Sequence, residues 1–72
     1  MTIEAGAGED EATLDDIDVG ALLDVDMGDD DDVLSLTNST VDSATLDGGG
    51  GTNTLTNTGN TFANPPTITN FV

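Results

Sequence analysis

The sequence predicts an all-β fold, a β-solenoid (β-helix or β-roll-like) of about three coils with 21–22 residues per coil. Three observations predict it. Residues of the same kind recur at that period, glycine-rich turns recur with them, and the stretches between turns alternate polar and apolar side chains. A fixed period of this length is typical of stacked repeats, and the alternation favours β-strands.

The period is defined by aligned columns of residues. Four apolar residues are separated by steps of 22, 21 and 22 residues, namely Ile3, Val25, Leu46 and Ile68. The same spacing aligns Gly6, Gly28 and Gly49; Asp10, Asp32 and Asn53; Ala12, Leu34 and Leu55; and Val19, Val41 and Phe62. The shared period predicts a single unit over residues 1–72, with coils at about 2–22, 23–43 and 44–66 and a closing strand at 67–72.

Short strands are expected between the turns. We place them at residues 2–4, 12–14, 22–27, 33–37, 44–46, 53–57 and 67–71. Leu23 to Met27 and Val33 to Leu36 show partial alternation with period 2, as a strand with one inward face requires. Pro65 and Pro66 should lie in a turn before the last strand, because proline cannot donate a hydrogen bond to a central ladder.

A helix over roughly residues 10–24 is the alternative for the first coil. Its apolar residues also fall at helical spacing, namely Leu14, Ile17, Ala21, Leu22 and Val25. Acidic residues upstream are favourable at a helix N-terminus. Gly20 and the β-branched residues Ile17 and Val19 are indifferent or poor in helices, so we predict a strand there.

The composition excludes several function classes. The 72 residues include 15 acidic side chains and no Lys, Arg, His or Cys, which gives a net charge of −15. Disulfides, zinc sites built on Cys or His and histidine-based catalysis are excluded. Nucleic acid and anionic membrane surfaces would repel the chain. We therefore expect no enzyme, no catalytic residue, no nucleic-acid partner and no membrane insertion.

Charge neutralisation is the next requirement if the chain folds. Thirteen of the 15 acidic residues lie in residues 1–32. Ca²⁺ is the natural counter-ion because it prefers oxygen ligands. High net charge with only two aromatic residues is also typical of disorder, so an acidic segment that folds on a basic partner stays an alternative.

Three glycine-containing nonapeptides carry the chemistry. They run from Ala5 to Thr13 (AGAGEDEAT), from Met27 to Ser35 (MGDDDDVLS) and from Gly48 to Thr56 (GGGGTNTLT). They resemble the calcium-binding repeat G-G-x-G-x-D-x-U-x of RTX (repeats-in-toxin) proteins. In that family the glycine turn supplies backbone carbonyls and the sixth position supplies a carboxylate.

The resemblance implies a set of candidate ligands. The sixth position is Asp10 and Asp32 in the first two copies, but Asn53 in the third. Asp30 replaces the fourth-position glycine of the middle copy. Since stacked coils repeat every ~4.8 Å and Ca–O distances are about 2.3–2.6 Å, one ion can contact two turns. The candidate calcium ligands are therefore Asp10, Asp30, Asp32 and Asn53, with a solvated acidic turn without metal as the alternative.

The spacing departs from that of RTX arrays, which carry two nonapeptides per coil where this chain has one per 21–22 residues. One per coil is more similar to the β-helical passenger segments of bacterial autotransporters and large adhesins. Asp47 to Leu55 (DGGGGTNTL) and Ile68 to Phe71 (ITNF) resemble turns and strand endings of those segments. The resemblance is best over residues 23–72 and implies an extracellular or bacterial cell-surface location.

The fold suggests a way of assembling. A short solenoid exposes unpaired strand edges at both ends, and Ile3 and Ile68 belong to one column at opposite ends of the chain. A head-to-tail contact between copies does not close, so it builds a filament. We expect a calcium-stabilised structural subunit of an extracellular filament or adhesin, whose partner is itself. The alternative is a monomeric calcium-binding RTX-like module of a larger secreted adhesin or toxin.

Overall fold

The computed structural model describes residues 1–71 and confirms the β-solenoid, with about three coils of ~22 residues each. Eight strands and no helix form within this range. They are β1 (Thr2–Glu4), β2 (Glu11–Asp15), β3 (Asp18–Asp26), β4 (Val33–Thr37), β5 (Thr40–Asp47), β6 (Thr54–Thr58), β7 (Thr61–Phe62) and β8 (Thr67–Thr69). The last residue of the predicted closing strand, Val72, lies outside the described residues.

Two parallel sheets face each other, and the chain crosses from one to the other twice in every coil. The first sheet has the order β1-β3-β5, with β7 and β8 both paired to the far edge of β5. The second sheet has the order β2-β4-β6. Every strand therefore lies directly beside the equivalent strand of the next coil, as stacked repeats require.

The register reproduces the predicted columns. In the first sheet Ile3 pairs with Val25, Val25 with Leu46, and Leu46 with Ile68. In the second sheet Ala12 pairs with Leu34, and Leu34 with Leu55. In these two columns apolar side chains therefore stack on apolar side chains from coil to coil. The apolar columns point inward, and the polar positions between them point to solvent.

The core lies in the middle of the stack. It consists of Leu23, Val25, Met27, Leu34, Leu36, Val41, Ala44 and Leu46. Apolar residues in the same columns at the ends of the stack, such as Ile3, Leu14 and Leu55, are only partly buried. Each of these has a neighbouring coil on one side only, so apolar surface of the interior stays open at both ends.

The structure corrects several strand boundaries. The strands predicted from residues 22 and 44 begin at Asp18 and Thr40, the strand predicted over 67–71 ends at Thr69, and the short strand β7 was not predicted. The helix alternative is wrong, because its residues form β2 and β3. A register shift between Val19 and Leu22 places one extra residue in β3. This β-bulge is the physical reason why the repeat step changes from 22 to 21 residues between Val19 and Leu22.

Glycine is required where neighbouring turns approach each other. Gly49 has a φ of 73°, in the left-handed region that favours glycine. A Cβ added to Gly49 would overlap the carbonyl oxygen of Gly28 in the preceding coil. Gly6, the equivalent residue of the first coil, also has a positive φ but has nothing within 4 Å of an added Cβ. A side chain is therefore sterically excluded at Gly49, where one turn stacks on another, but not at Gly6.

This difference predicts the outcome of a matched pair of variants. Gly6→Ala should cost about 1–2 kcal/mol of stability, from backbone strain alone. Gly49→Ala should cost about 1–3 kcal/mol more, because the stacked coils must move apart. Urea unfolding followed by circular dichroism measures both values. Equal losses for the two variants would contradict close packing of the turns.

Candidate functional site

The candidate site is a column of polar side chains inside the glycine turns. It consists of Asp10, Asp32 and Asn53, and we call it the turn ladder. Asp32 and Asn53 are buried, with 1% and 0% of their surface exposed. The N–H of Asp10 donates to Asp32 Oδ1 at 2.7 Å, and the N–H of Asp32 donates to Asn53 Oδ1 at 2.8 Å. One side-chain oxygen per coil thus holds the main chain of the coil before it.

The second polar atom of each side chain, Oδ2 of Asp or Nδ2 of Asn, distinguishes the third coil from the first two. Asn53 Nδ2 donates to the carbonyl oxygens of Gly50 and Asn70, both at 3.1 Å. Oδ2 of Asp10 and Oδ2 of Asp32 are buried and have no hydrogen-bond partner. A carboxylate cannot donate as the amide does, so the first two coils each bury an acceptor where the third buries a satisfied donor. Burial of an unpaired charged group costs free energy, and a cation bound there would offset that cost.

The structure separates Asp30 from the other predicted ligands. Asp30 lies in the column of Gly8 and Gly51, is exposed, and has a φ of 76°. Its Oδ2 accepts the N–H of Gly8 at 3.0 Å, so it fastens the neighbouring turn from the outside. Over residues 1–71 no three acidic side chains come together as a metal site. The predicted ligands thus supply one column of oxygen atoms and a separate outer carboxylate.

A second ladder, at the opposite turn, was missed by sequence reasoning. The N–H of Ile17 donates to Ser39 Oγ at 3.1 Å, and the N–H of Ser39 donates to Asn60 Oδ1 at 2.9 Å. The 21–22-residue period relates these three residues as well and would have revealed the column. Asn60 Nδ2 donates to the Leu36 carbonyl and to Asn57 Oδ1. Both amide atoms of Asn60 are thus satisfied, so this ladder serves the fold.

Carboxylates also form a row on the outer face of the first sheet. Glu4 lies opposite Asp26, and Asp26 opposite Asp47, after which Thr69 ends the row. The Asn70 side-chain amide, 2.6 Å from Asp47 Oδ1, and the N–H of Gly49 hold the pKa of Asp47 below its usual value. Because the pKa is lowered, these bonds stabilise the fold fully when the pH is above the usual carboxyl pKa. This stabilisation is lost as the pH falls through the lower pKa of the folded state.

The two ends of the solenoid differ. The upper end carries the edges of β1 and β2, whose inward residues Ile3 and Leu14 are only partly buried. The lower end carries β6, β7 and β8. There Thr69 O accepts the N–H of Gly48 at 2.9 Å, and Phe71 packs against the core. The segment 67–71 therefore covers part of the lower end, while the upper end has no equivalent cover among the described residues.

Comparison with known proteins finds no family model, no curated protein and no solved structure that matches this chain. In the part of the chain that the structure describes, no helix is long and apolar enough to cross a membrane.

The turn ladder predicts opposite effects for two reciprocal variants. Without metal at neutral pH, Asn53→Asp should destabilise the fold by about 1–3 kcal/mol, because a carboxylate oxygen replaces the amide donor beside two carbonyls. Asp32→Asn should stabilise it, because the amide keeps the acceptor for Asp10 N–H and removes a buried charge. Thermal unfolding in the presence of a chelator measures both. Stabilisation by Asn53→Asp would contradict this description of the ladder.

Proposed function

We propose that this chain is a structural subunit of an extracellular filament or adhesin, which assembles head to tail by stacking of its solenoid ends. The observation that carries the proposal is the pair of open parallel edges, one at each end, in a shared set of columns. Exposed edges of this kind offer unpaired N–H and C=O groups to another chain. A second copy is the partner whose columns match.

The second sheet provides the clearest junction. β6 ends this sheet below, and β2 ends it above. Placing β2 of the next copy beside β6 would set Ala12 against Leu55 and Thr13 against Thr56, in the columns that β4 already joins within the chain. The turn ladder would also continue, with Asp10 of the next copy accepting the N–H of Asn53. The contact is heterologous and does not close, so it extends into a filament.

Charge is the main opposition to this assembly. Each copy adds a net charge of −15 and no basic side chain. Repulsion of this size destabilises compact and associated states. Calcium is the counter-ion we propose, since carboxylate and carbonyl oxygens line the turns and Ca²⁺ takes oxygen ligands. The unpartnered oxygens of Asp10 and Asp32 are the atoms best placed to gain from it.

A second function is favoured by the same two oxygens. If calcium binds in the turns of a single copy, the chain is a calcium-folded module of a larger secreted adhesin or toxin. This function needs the turn ladder and makes no use of the open ends. The bacterial cell-surface location in both proposals comes from the resemblance of residues 23–72 to adhesin segments.

Electron microscopy and light scattering with calcium and with chelator test the proposal. We expect filaments in calcium and shorter or fewer filaments in chelator. The variant Asp10→Asn/Asp32→Asn removes both unpartnered oxygens, so its filaments should lose the part of the calcium dependence that comes from the turn ladder and keep the part that comes from screening of the other carboxylates. Monodisperse single copies under both conditions would contradict the filament. Calcium-induced folding without any growth in size would favour the single-copy module instead.

A further inference from the structure

The two sheets contain different numbers of strands along the solenoid axis, and we call each strand position along this axis a level. The difference lies at the lower end. The first sheet is stacked as β1, β3, β5 and then β7 with β8, which makes four levels. The second sheet is stacked as β2, β4 and β6, which makes three. β8 therefore projects one level beyond β6, and no strand among residues 1–71 lies beside β8 in the opposite sheet.

β8 and β1 are equivalent strands at opposite ends of the molecule. β8 places Thr67, Ile68 and Thr69 on Thr45, Leu46 and Asp47. β1 pairs Thr2, Ile3 and Glu4 with Asp24, Val25 and Asp26. These three residues of β3 lie one coil above residues 45–47 in the same three columns. The two strands also read almost alike, as Thr-Ile-Thr and Thr-Ile-Glu. β1 of a second copy therefore has the shape and sequence to lie on β5 where β8 lies.

A second copy can be added at the lower end in two ways, with its β1 below β8 or in place of β8. Only one of these two junctions leaves both sheets continuous. In one junction, β1 of the next copy lies below β8 of the first. The β2 of the next copy then lies two strand spacings, ~9.6 Å, below β6 of the first copy, so one strand of the second sheet is missing between them. If β1 instead takes the place of β8, β2 falls directly on β6. β7 fits the second arrangement too, since it lies in the columns of Asp18 and Val19 and would pair with that part of the next β3.

We propose that β8 is a removable plug, and that β1 of a second copy replaces it on the edge of β5 during assembly. This inference rests on the proposed filament and specifies its junction. The site is the lower edge of residues 45–47, occupied by the chain's own residues 67–69 in the free subunit. A continuous filament then contains a first-sheet strand made of β7 from one copy and β1 from the next.

The plug, β8, buries little of its own surface. All three residues of β8 are exposed, and Ile68 is 40% exposed where its column partner Leu46 is fully buried. Pro65 and Pro66 precede β8 and bring no N–H to the sheet. Besides its pairing with β5, the segment is held by Phe71, which packs against the core, and by three hydrogen bonds: Gly48 N–H to Thr69 O, Asn70 to Asp47, and Asn53 to Asn70 O.

Residue 4 contributes to the balance between plug and partner. Exchange replaces Thr69 by Glu4 of the next copy directly opposite the Asp47 carboxylate. Like charges at opposed positions are destabilising, so the free subunit keeps its own neutral strand. Glu4→Thr makes β1 identical to β8 and removes this opposition. The variant should assemble faster and at lower concentration than the unchanged chain.

Disulfide trapping tests the exchange, since the chain contains no cysteine of its own. A Thr2→Cys variant is mixed with a Thr45→Cys variant, and separately with a Thr67→Cys variant, under filament-forming conditions and mild oxidation. Adjacent parallel strands bring outward Cα atoms within the range of a disulfide, whereas two strand spacings do not. Exchange predicts cross-linked dimers from the first mixture and none from the second.

Other results of these experiments would separate failure of the strand exchange from failure of the filament proposal. Filaments that cross-link only in the second mixture would overturn the exchange and leave the filament proposal standing. Absence of filaments in both mixtures and in the unchanged chain would overturn the filament proposal itself. The single-chain variant Thr45→Cys/Thr67→Cys supplies an independent check, because it locks β8 on β5. Oxidation should abolish its assembly and a reductant should restore it, and assembly while oxidised would overturn the exchange.

Discussion

In-register parallel stacking is the constraint on which the rest of the structure depends. Each strand must lie over its equivalent one coil earlier, so the inward columns of the core have to repeat apolar side chains, as in Ile3, Val25 and Leu46. A slip of one residue would turn each apolar side chain to the wrong face. The same rule places glycine where Gly49 meets the carbonyl of Gly28. It also leaves a matching open edge at each end.

Much of this architecture could be predicted from the sequence, because columns such as Ile3, Val25 and Leu46 carry the period directly. β7 could not, since two residues between turn formers show no alternation. The start of β3 was missed because Gly20 is typical of a break, whereas it lies within a bulged strand. For the site, the period predicted the column of Asp10, Asp32 and Asn53. It could not predict which oxygens stay unpartnered, because that depends on side-chain rotamers and on the acceptors around them.

The turn ladder shows how one column can serve two purposes. At Asn53 the amide completes the hydrogen bonding of its turn and needs nothing further. At Asp32 the same position keeps the bond to the preceding coil and leaves one oxygen without a partner. Buried polar groups are costly when they are half satisfied. The two acidic coils therefore each keep one buried acceptor without a partner, and the cation that we propose would offset the cost of burying it.

The axial rise of the proposed filament, measured by electron cryomicroscopy or fibre diffraction, tests the proposed assembly most directly. If β1 of the next copy replaces β8, as we propose, a subunit that continues both sheets contributes three levels. We predict a rise of ~14 Å per subunit at the usual strand spacing. A rise of ~19 Å, four levels per subunit, would mean that β8 stays in place and would contradict the continuous solenoid.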